Sequence, residues 1–201
     1  AWTQNLRAEV GEDGKLLHKR NTFTDFVSCG EHLVESGVTT PSRMVAEGGS
    51  AGGLLMGAVT NLAPELFAGI LAGVPFVDAL TTILDPSLPL TVIEWDEWGD
   101  PLHDPDVYAY MKSYSPYENV RDGVDYPRIL AVTSLNDTRV LYVEPAKWGA
   151  RLRAAGAQPI EVGDATVRVG ITLGVAHAAD AVSETTLAAA DRAMLDRKAG
   201  A

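Results

Sequence analysis

One stretch limits the fold more than any other. It runs from Met44-Val45-Ala46 through Glu47-Gly48-Gly49-Ser50-Ala51-Gly52-Gly53 to an apolar segment, Leu54 to Leu62, with helical spacing. A short apolar run, a glycine-rich bend and a helical segment describe a strand that turns sharply into a helix. The glycines let two backbones approach where a Cβ would collide. Gly48-Gly49-Ser50-Ala51-Gly52 has the spacing of a nucleophile elbow. In that turn the serine is held strained with its hydroxyl exposed, and the next backbone N–H, here that of Ala51, helps bind an oxyanion. The same pentapeptide also fits a plain glycine-rich turn in a chain that holds 19 glycines.

The rest of the chain sets this bend in an alternating pattern. Thr22 to Gly37 predicts an amphipathic helix, with Phe23, Phe26, Val27, Leu33 and Val34 on one stripe and Gly37 as its stop. Phe67 to Val74 and Ile129 to Thr133 are short enough for buried strands, and Val167 to Leu173 is a fourth candidate. A helix is predicted around Pro145, with Trp148 and Leu152 on its apolar face and Gly156 ending it. An alanine-rich helix follows, to about Lys198. Residues 78–126 lack periodicity and are too long for an ordinary connection, so they predict an inserted subdomain or functional loop region. Strands alternating with helices predict an α/β fold with a mostly parallel sheet covered on both faces.

Functional groups in such sheets gather at the carboxyl ends of the strands. Ser50, Asp137 and His177 all fall there, in the chain order Ser, Asp, His that an α/β-hydrolase uses. A serine hydroxyl is a poor nucleophile until an imidazole takes its proton, and the imidazole needs a carboxylate to fix its tautomer. Asp137 would equally serve as a turn cap, and His177 as a solvated loop residue. Metal binding is poorly supported. His103 with Asp104 and Asp106 reads as a polar turn, His32 with Glu35 as an exposed helix pair, and no H-E-x-x-H, P-loop or dinucleotide fingerprint occurs.

Charge and cysteine usage narrow the partners. Sixteen Lys and Arg against 27 Asp and Glu give a net charge of −11, which disfavours nucleic acid and anionic membranes and draws in cations. The single Cys29 excludes an intrachain disulfide framework. No apolar run approaches a membrane span and no signal peptide is visible, so a soluble, cytoplasmic protein is expected.

Longer blocks carry a resemblance. Gly48-Gly49-Ser50-Ala51-Gly52-Gly53-Leu54-Leu55-Met56-Gly57 resembles the nucleophile region of the prolyl oligopeptidase family of serine peptidases, in its oligopeptidase B branch. So do Asp13-Gly14-Lys15-Leu16-Leu17, Asn21-Thr22-Phe23-Thr24-Asp25, Val74-Pro75-Phe76-Val77-Asp78, Glu94-Trp95-Asp96-Glu97-Trp98-Gly99, Tyr110 to Tyr117 and Glu144-Pro145-Ala146-Lys147-Trp148. The likeness is strong from about residue 11 to 155. It implies an α/β-hydrolase catalytic domain, cleavage of short peptides after Arg or Lys, and no cofactor or metal. Ser50 is then the nucleophile, Asp137 the orienting acid and His177 the general base. Glu94 and Asp96 fall where the family receives the substrate's basic side chain, since paired carboxylates accept the planar donor fork of a guanidinium. Without the resemblance, Glu94, Asp96 and Glu97 read as a solvated acidic turn. An esterase-like hydrolase, or a catalytically impaired remnant, is the alternative.

Two departures qualify what the resemblance implies. The family's histidine is flanked by glycines, whereas here the segment is Gly174-Val175-Ala176-His177-Ala178-Ala179-Asp180, and an imidazole displaced by an ångström costs on the order of a hundredfold in rate. The family's β-propeller, the opening strands of its hydrolase sheet and the tyrosine that gives a second oxyanion donor would all precede Ala1. Residues 1–201 are therefore expected to form one partial hydrolase domain, incomplete on its N-terminal side. Its elbow strand is expected to lie at an exposed edge prone to pairing with other chains.

Overall fold

A computed structural model of the chain describes residues 13–156, 159–162 and 165–168, the last two segments as strands. The first helix, α1 (Arg20–Glu35), buries Phe23 and Gly30. It ends in a Schellman turn: Gly37, at φ 73°, donates its N–H to Val34 O at 3.0 Å, and Val38 donates to Leu33 O at 3.0 Å. The predicted stop signal at Gly37 thus acts one residue beyond the cap.

The strand of the glycine block, β1 (Val45–Gly49), runs straight into α2 (Ala51–Leu62). Next come β2 (Gly69–Gly73), α3 (Ala79–Ile83), α4 (Trp95–Trp98), α5 (Pro105–Lys112), β3 (Arg128–Val132) and α6 (Val143–Gly156). The three strands pair in parallel in the order β1-β2-β3, in a register that sets Ala46 beside Ile70 and Ile70 beside Ile129. That row faces the helices: Ala46 and Ile70 are buried with Leu54, Met56 and Val59 of α2 and Phe23 of α1. Each large side chain so buried contributes about 1.5–3 kcal/mol relative to exposure. On the opposite face, Val45, Leu71 and Leu130 are exposed. Among the described residues β1 and β3 form the two edges, and no helix is long and apolar enough to cross a membrane.

Residues 78–126 contain ordered elements that the sequence pattern left unread. Asp104 caps α5, its carboxylate accepting from the N–H groups of Asp106 at 2.8 Å and Val107 at 3.3 Å, with Pro105 in the first turn. Aspartate followed by proline is a helix start; it was masked by reading His103, Asp104 and Asp106 together as a polar turn. His103 pairs with Asp100 at 2.7 Å.

One expectation needs correction. The fourth strand, predicted over Val167 to Leu173, was placed in the parallel sheet. Of that range only Val167 and Arg168 are described, and they belong to β5 (Ala165–Arg168), which pairs antiparallel with β4 (Pro159–Val162) in a separate two-stranded sheet; residues 169–173 and the alanine-rich helix expected up to about Lys198 lie outside the described residues. The signal was two short β-prone runs lying close together in the sequence, which favour pairing with each other.

Candidate active site

Ser50 sits at the junction of β1 and α2 with φ 56° and ψ −119°, outside the regions an L-residue ordinarily adopts. Such a conformation costs about 1–3 kcal/mol and persists only where neighbours over-determine it. They do so here. Ser50 N–H donates to Gly73 O at 2.9 Å, and Ser50 C=O accepts from Gly53, Leu54 and Phe76 N–H at 2.9, 3.3 and 3.2 Å. With both backbone groups engaged, the side chain is left exposed.

The glycines around it are sterically required. A Cβ on Gly48 would lie 2.4 Å from Gly52 O, and one on Gly53 would lie 2.4 Å from Pro75 Cα. The elbow is therefore a three-way contact of β1, the first turn of α2 and the loop after β2. Ala51, the first residue of α2, has its N–H in a turn that cannot bond within its own helix. The positive end of the helix dipole lies at the same place.

A cleft opens beside Ser50 and Ala51. Its walls come from the insertion (Thr82, Leu90, Glu94) and from the loop after β3 (Arg139, Val140). Asp137 lies in that loop, half-buried. Its Oδ1 accepts from Arg139 N–H at 2.8 Å and Val140 N–H at 3.0 Å, and its own N–H donates to Ser134 O at 3.2 Å. It is thus the turn cap that the sequence allowed, in a loop that borders the serine's cleft. His177 lies outside the described residues.

Glu94 lines the cleft with Ser50, half-buried, its Oε2 accepting from Trp98 Nε1 at 2.8 Å. Asp96 is exposed on α4 and is not among the residues that line this cleft. The short α4 is fastened from behind. Lys19, itself buried, pairs with Glu97 and lies over the Trp98 ring at 4.4 Å from its centroid, while Trp98 packs on Phe76 at 5.6 Å. Glu94 is therefore held by an indole that a lysine and a phenylalanine hold in turn.

Three residues were not singled out as site residues from the sequence. Thr82 and Arg139 line the cleft. Glu144 is 1% exposed and carries a full carboxylate into the core. Periodicity held a signal for the last: Glu144, Trp148 and Leu152 recur every four residues, so the stripe that buries the two apolar side chains also buries the acid. Burial pushes its pKa up to about 7, against hydrogen bonds from Thr82 and Asp78 that pull it down.

A parallel sheet, a strained serine at a strand-to-helix bend and a cleft at the carboxyl ends of the strands define part of an α/β-hydrolase catalytic domain. A profile of the prolyl oligopeptidase family matches residues 8–169, and the chain belongs to that family. It is similar to Protease 2 of Moraxella lacunata, 61% identical over 143 residues that cover 71% of this chain and 20% of that protein. It is also similar to dipeptidyl aminopeptidase BI of Pseudoxanthomonas mexicana, 53% identical over 142 residues covering 71% of this chain and 19% of that one. Among solved structures, oligopeptidase B from Leishmania major matches with a TM-score of 0.71 at 46% identity, over 91% of this chain and 25% of that chain. Oligopeptidase B from Trypanosoma brucei with covalently bound antipain matches at 0.70 and 55% identity, over 75% and 21%. The chain spans about a fifth of the length of the relatives it matches.

Proposed function

We propose that the chain carries the nucleophile and substrate-side-chain pocket of a serine peptidase that cleaves short peptides after Arg or Lys. Ser50 Oγ attacks the scissile carbonyl while His177 takes its proton. The tetrahedral oxyanion accepts a hydrogen bond from Ala51 N–H, and His177 then protonates the leaving amine to release an acyl-serine. Water attacks that ester with His177 again as base, which frees the acid product and restores Ser50. Asp137 Oδ1 is engaged by two backbone donors, and Oδ2 accepts no hydrogen bond from the described residues, so it is the oxygen to hold the imidazole N–H. Glu94 receives the substrate's cation, Asp96 adds negative charge outside the cleft, and the net charge of −11 attracts basic peptides.

The observation that carries this reading is the strained, exposed Ser50 sharing its cleft with the Glu94 carboxylate. An esterase needs the first and has no use for the second. Labelling by a fluorophosphonate probe, lost in Ser50→Ala, tests for an activated serine. Rates on Arg and neutral peptide amides, with free and with blocked N-termini, then test the specificity. The free-end comparison is included because one relative is named a dipeptidyl aminopeptidase. Labelling without any preference for Arg or Lys would leave a hydrolase of another specificity.

A further inference from the structure

Glu144 is held by the cleft wall and not by solvent. Its Oε2 accepts from Asp78 N–H at 2.9 Å and its Oε1 from the Thr82 hydroxyl at 2.7 Å. Thr82 lies on α3 and lines the cleft that contains Ser50 and Glu94. A hydroxyl has one proton and donates in one direction only. While Glu144 is a carboxylate, the Thr82 proton is committed to it, and the Thr82 oxygen offers the cleft only lone pairs. Once Glu144 is protonated, the backbone N–H of Asp78 still demands a lone pair on Oε2. The added hydrogen therefore sits on Oε1 and points at Thr82, whose own proton must turn away and becomes available to the cleft.

We propose that Glu144 is a positioning residue for substrate specificity, which acts through Thr82 by deciding whether the wall beside Glu94 presents an acceptor or a donor. The inference deepens the proposed Arg/Lys specificity and rests on it. Ammonium and guanidinium groups carry donors and no acceptor, so they match Thr82 only while its lone pairs face them. The orientation is set by α6, because the same helix turn carries Lys147, which pairs with Asp78 at the start of α3. The charged group that acts directly on Glu144 is Asp78 at the start of α3, and Asp78 is in turn neighboured by Lys147 of α6 and by Glu118 from the turn after α5. Lys147 also lies over the Tyr117 ring, at 4.5 Å from its centroid. Burial raises the Glu118 carboxyl as well. Burial opposes the Lys147 charge, but its hydrogen bond and attraction to Asp78 outweigh this and hold it above the usual lysine range. Glu144, its pKa pushed up to about 7 by burial, changes charge near neutrality.

Glu144→Gln tests the proposal in the full-length protein. Its amide oxygen accepts from Asp78 N–H and its amide N–H points at Thr82, which fixes the acid-form orientation at every pH. Two peptide amides are compared, identical except for Arg or its neutral isostere citrulline before the cleaved bond. At about pH 8.5 the variant should raise KM for the Arg peptide about tenfold, the scale of one charge-assisted hydrogen bond, with kcat and the citrulline KM within about twofold. Wild-type KM for Arg should rise similarly on going to about pH 6, while that of Glu144→Gln stays flat. Thr82→Val should remove the pH dependence of the Arg-over-citrulline preference. Equal KM changes for the two peptides, or an unchanged pH dependence in Glu144→Gln, would overturn the inference while Ser50 still labels. A wild-type protein that fails to label at Ser50 would overturn it together with the peptidase reading.

Discussion

The backbone N–H of Phe76 donates to the carbonyl of Ser50 at 3.2 Å, which ties the loop after β2 to the bend after β1. This bond engages the serine's carbonyl from outside its own helix. It also fixes Phe76 and the segment leading to Asp78 as the near wall of the cleft. Conformational strain at Ser50 is thus tolerated because four backbone hydrogen bonds and a neighbouring strand hold the residue in place.

Replacing the strained residue should trade function for stability. Ser50→Gly removes the Cβ at φ 56° and should stabilise the chain by about 1 kcal/mol while abolishing fluorophosphonate labelling. Thermal melts of the two proteins check this. A lower melting temperature for the glycine variant would mean that the serine is not strained.

Gly53→Ala should be far more damaging than an ordinary exchange of glycine for alanine in a helix. The new methyl would meet Pro75 Cα at 2.4 Å, and neither backbone can move without opening the elbow. A loss of about 1–3 kcal/mol is expected from overpacking, although alanine is the better helix former. Gly52→Ala, with nothing within 4 Å of its added Cβ, is the control and should cost little. Denaturant midpoints of the pair read out the difference.

Glu94→Gln keeps a partner for Trp98 Nε1 and removes the charge. It should lower kcat/KM for an Arg peptide by about a hundredfold, the scale of a lost charge–charge contact in a partly desolvated cleft, and leave neutral peptides within a fewfold. Lys19→Met should produce a weaker loss of the same kind, because it frees Trp98 and Glu97 without touching the carboxylate. An equal fall on both peptides in either variant would count against a specificity pocket.

Burial of Glu144 should make stability depend on pH. Its folded pKa, about 7, exceeds the unfolded value of 4.5, so the folded state binds more protons between those two values. The resulting stability is fully present below about pH 4.5 and is lost as pH rises through about 7, in total on the order of 3 kcal/mol. Urea titrations across this range should show wild-type stability declining toward alkaline pH relative to Glu144→Gln, whose curve lacks this component. Parallel curves would show that Glu144 does not titrate there.

Local pattern carried much of the architecture. The β1–α2 bend was legible because a Cβ at Gly48 would lie 2.4 Å from the Gly52 carbonyl oxygen, so the constraint is written into the residue types themselves. Helix α1 was legible because burial of one face forces a periodicity, and strands β2 and β3 because each is a short apolar run. Their ends differ from the predicted ones by about two residues, as terminal turns are set by capping and not by the apolar stripe. Helix α5 was missed because its start is signalled by a single capping aspartate, Asp104, and its apolar pattern is weak. The β4–β5 hairpin was misassigned because a short apolar run does not say which strand it will pair with.

What the amino-acid order determined alone is a sharply turned serine, an aspartate placed after a later strand, and an acidic chain of alternating strands and helices. Tertiary structure alone decided that Glu94 rather than its neighbour Asp96 borders the serine's cleft, that Lys19 braces the turn carrying it, and that Glu144 is buried against Asp78 and Thr82. The physical reason is range. A bend or a periodic face is enforced by atoms a few residues apart, whereas contacts across 60 or more positions, such as Glu144 with Thr82, exist only once parallel strand pairing has chosen which loops meet.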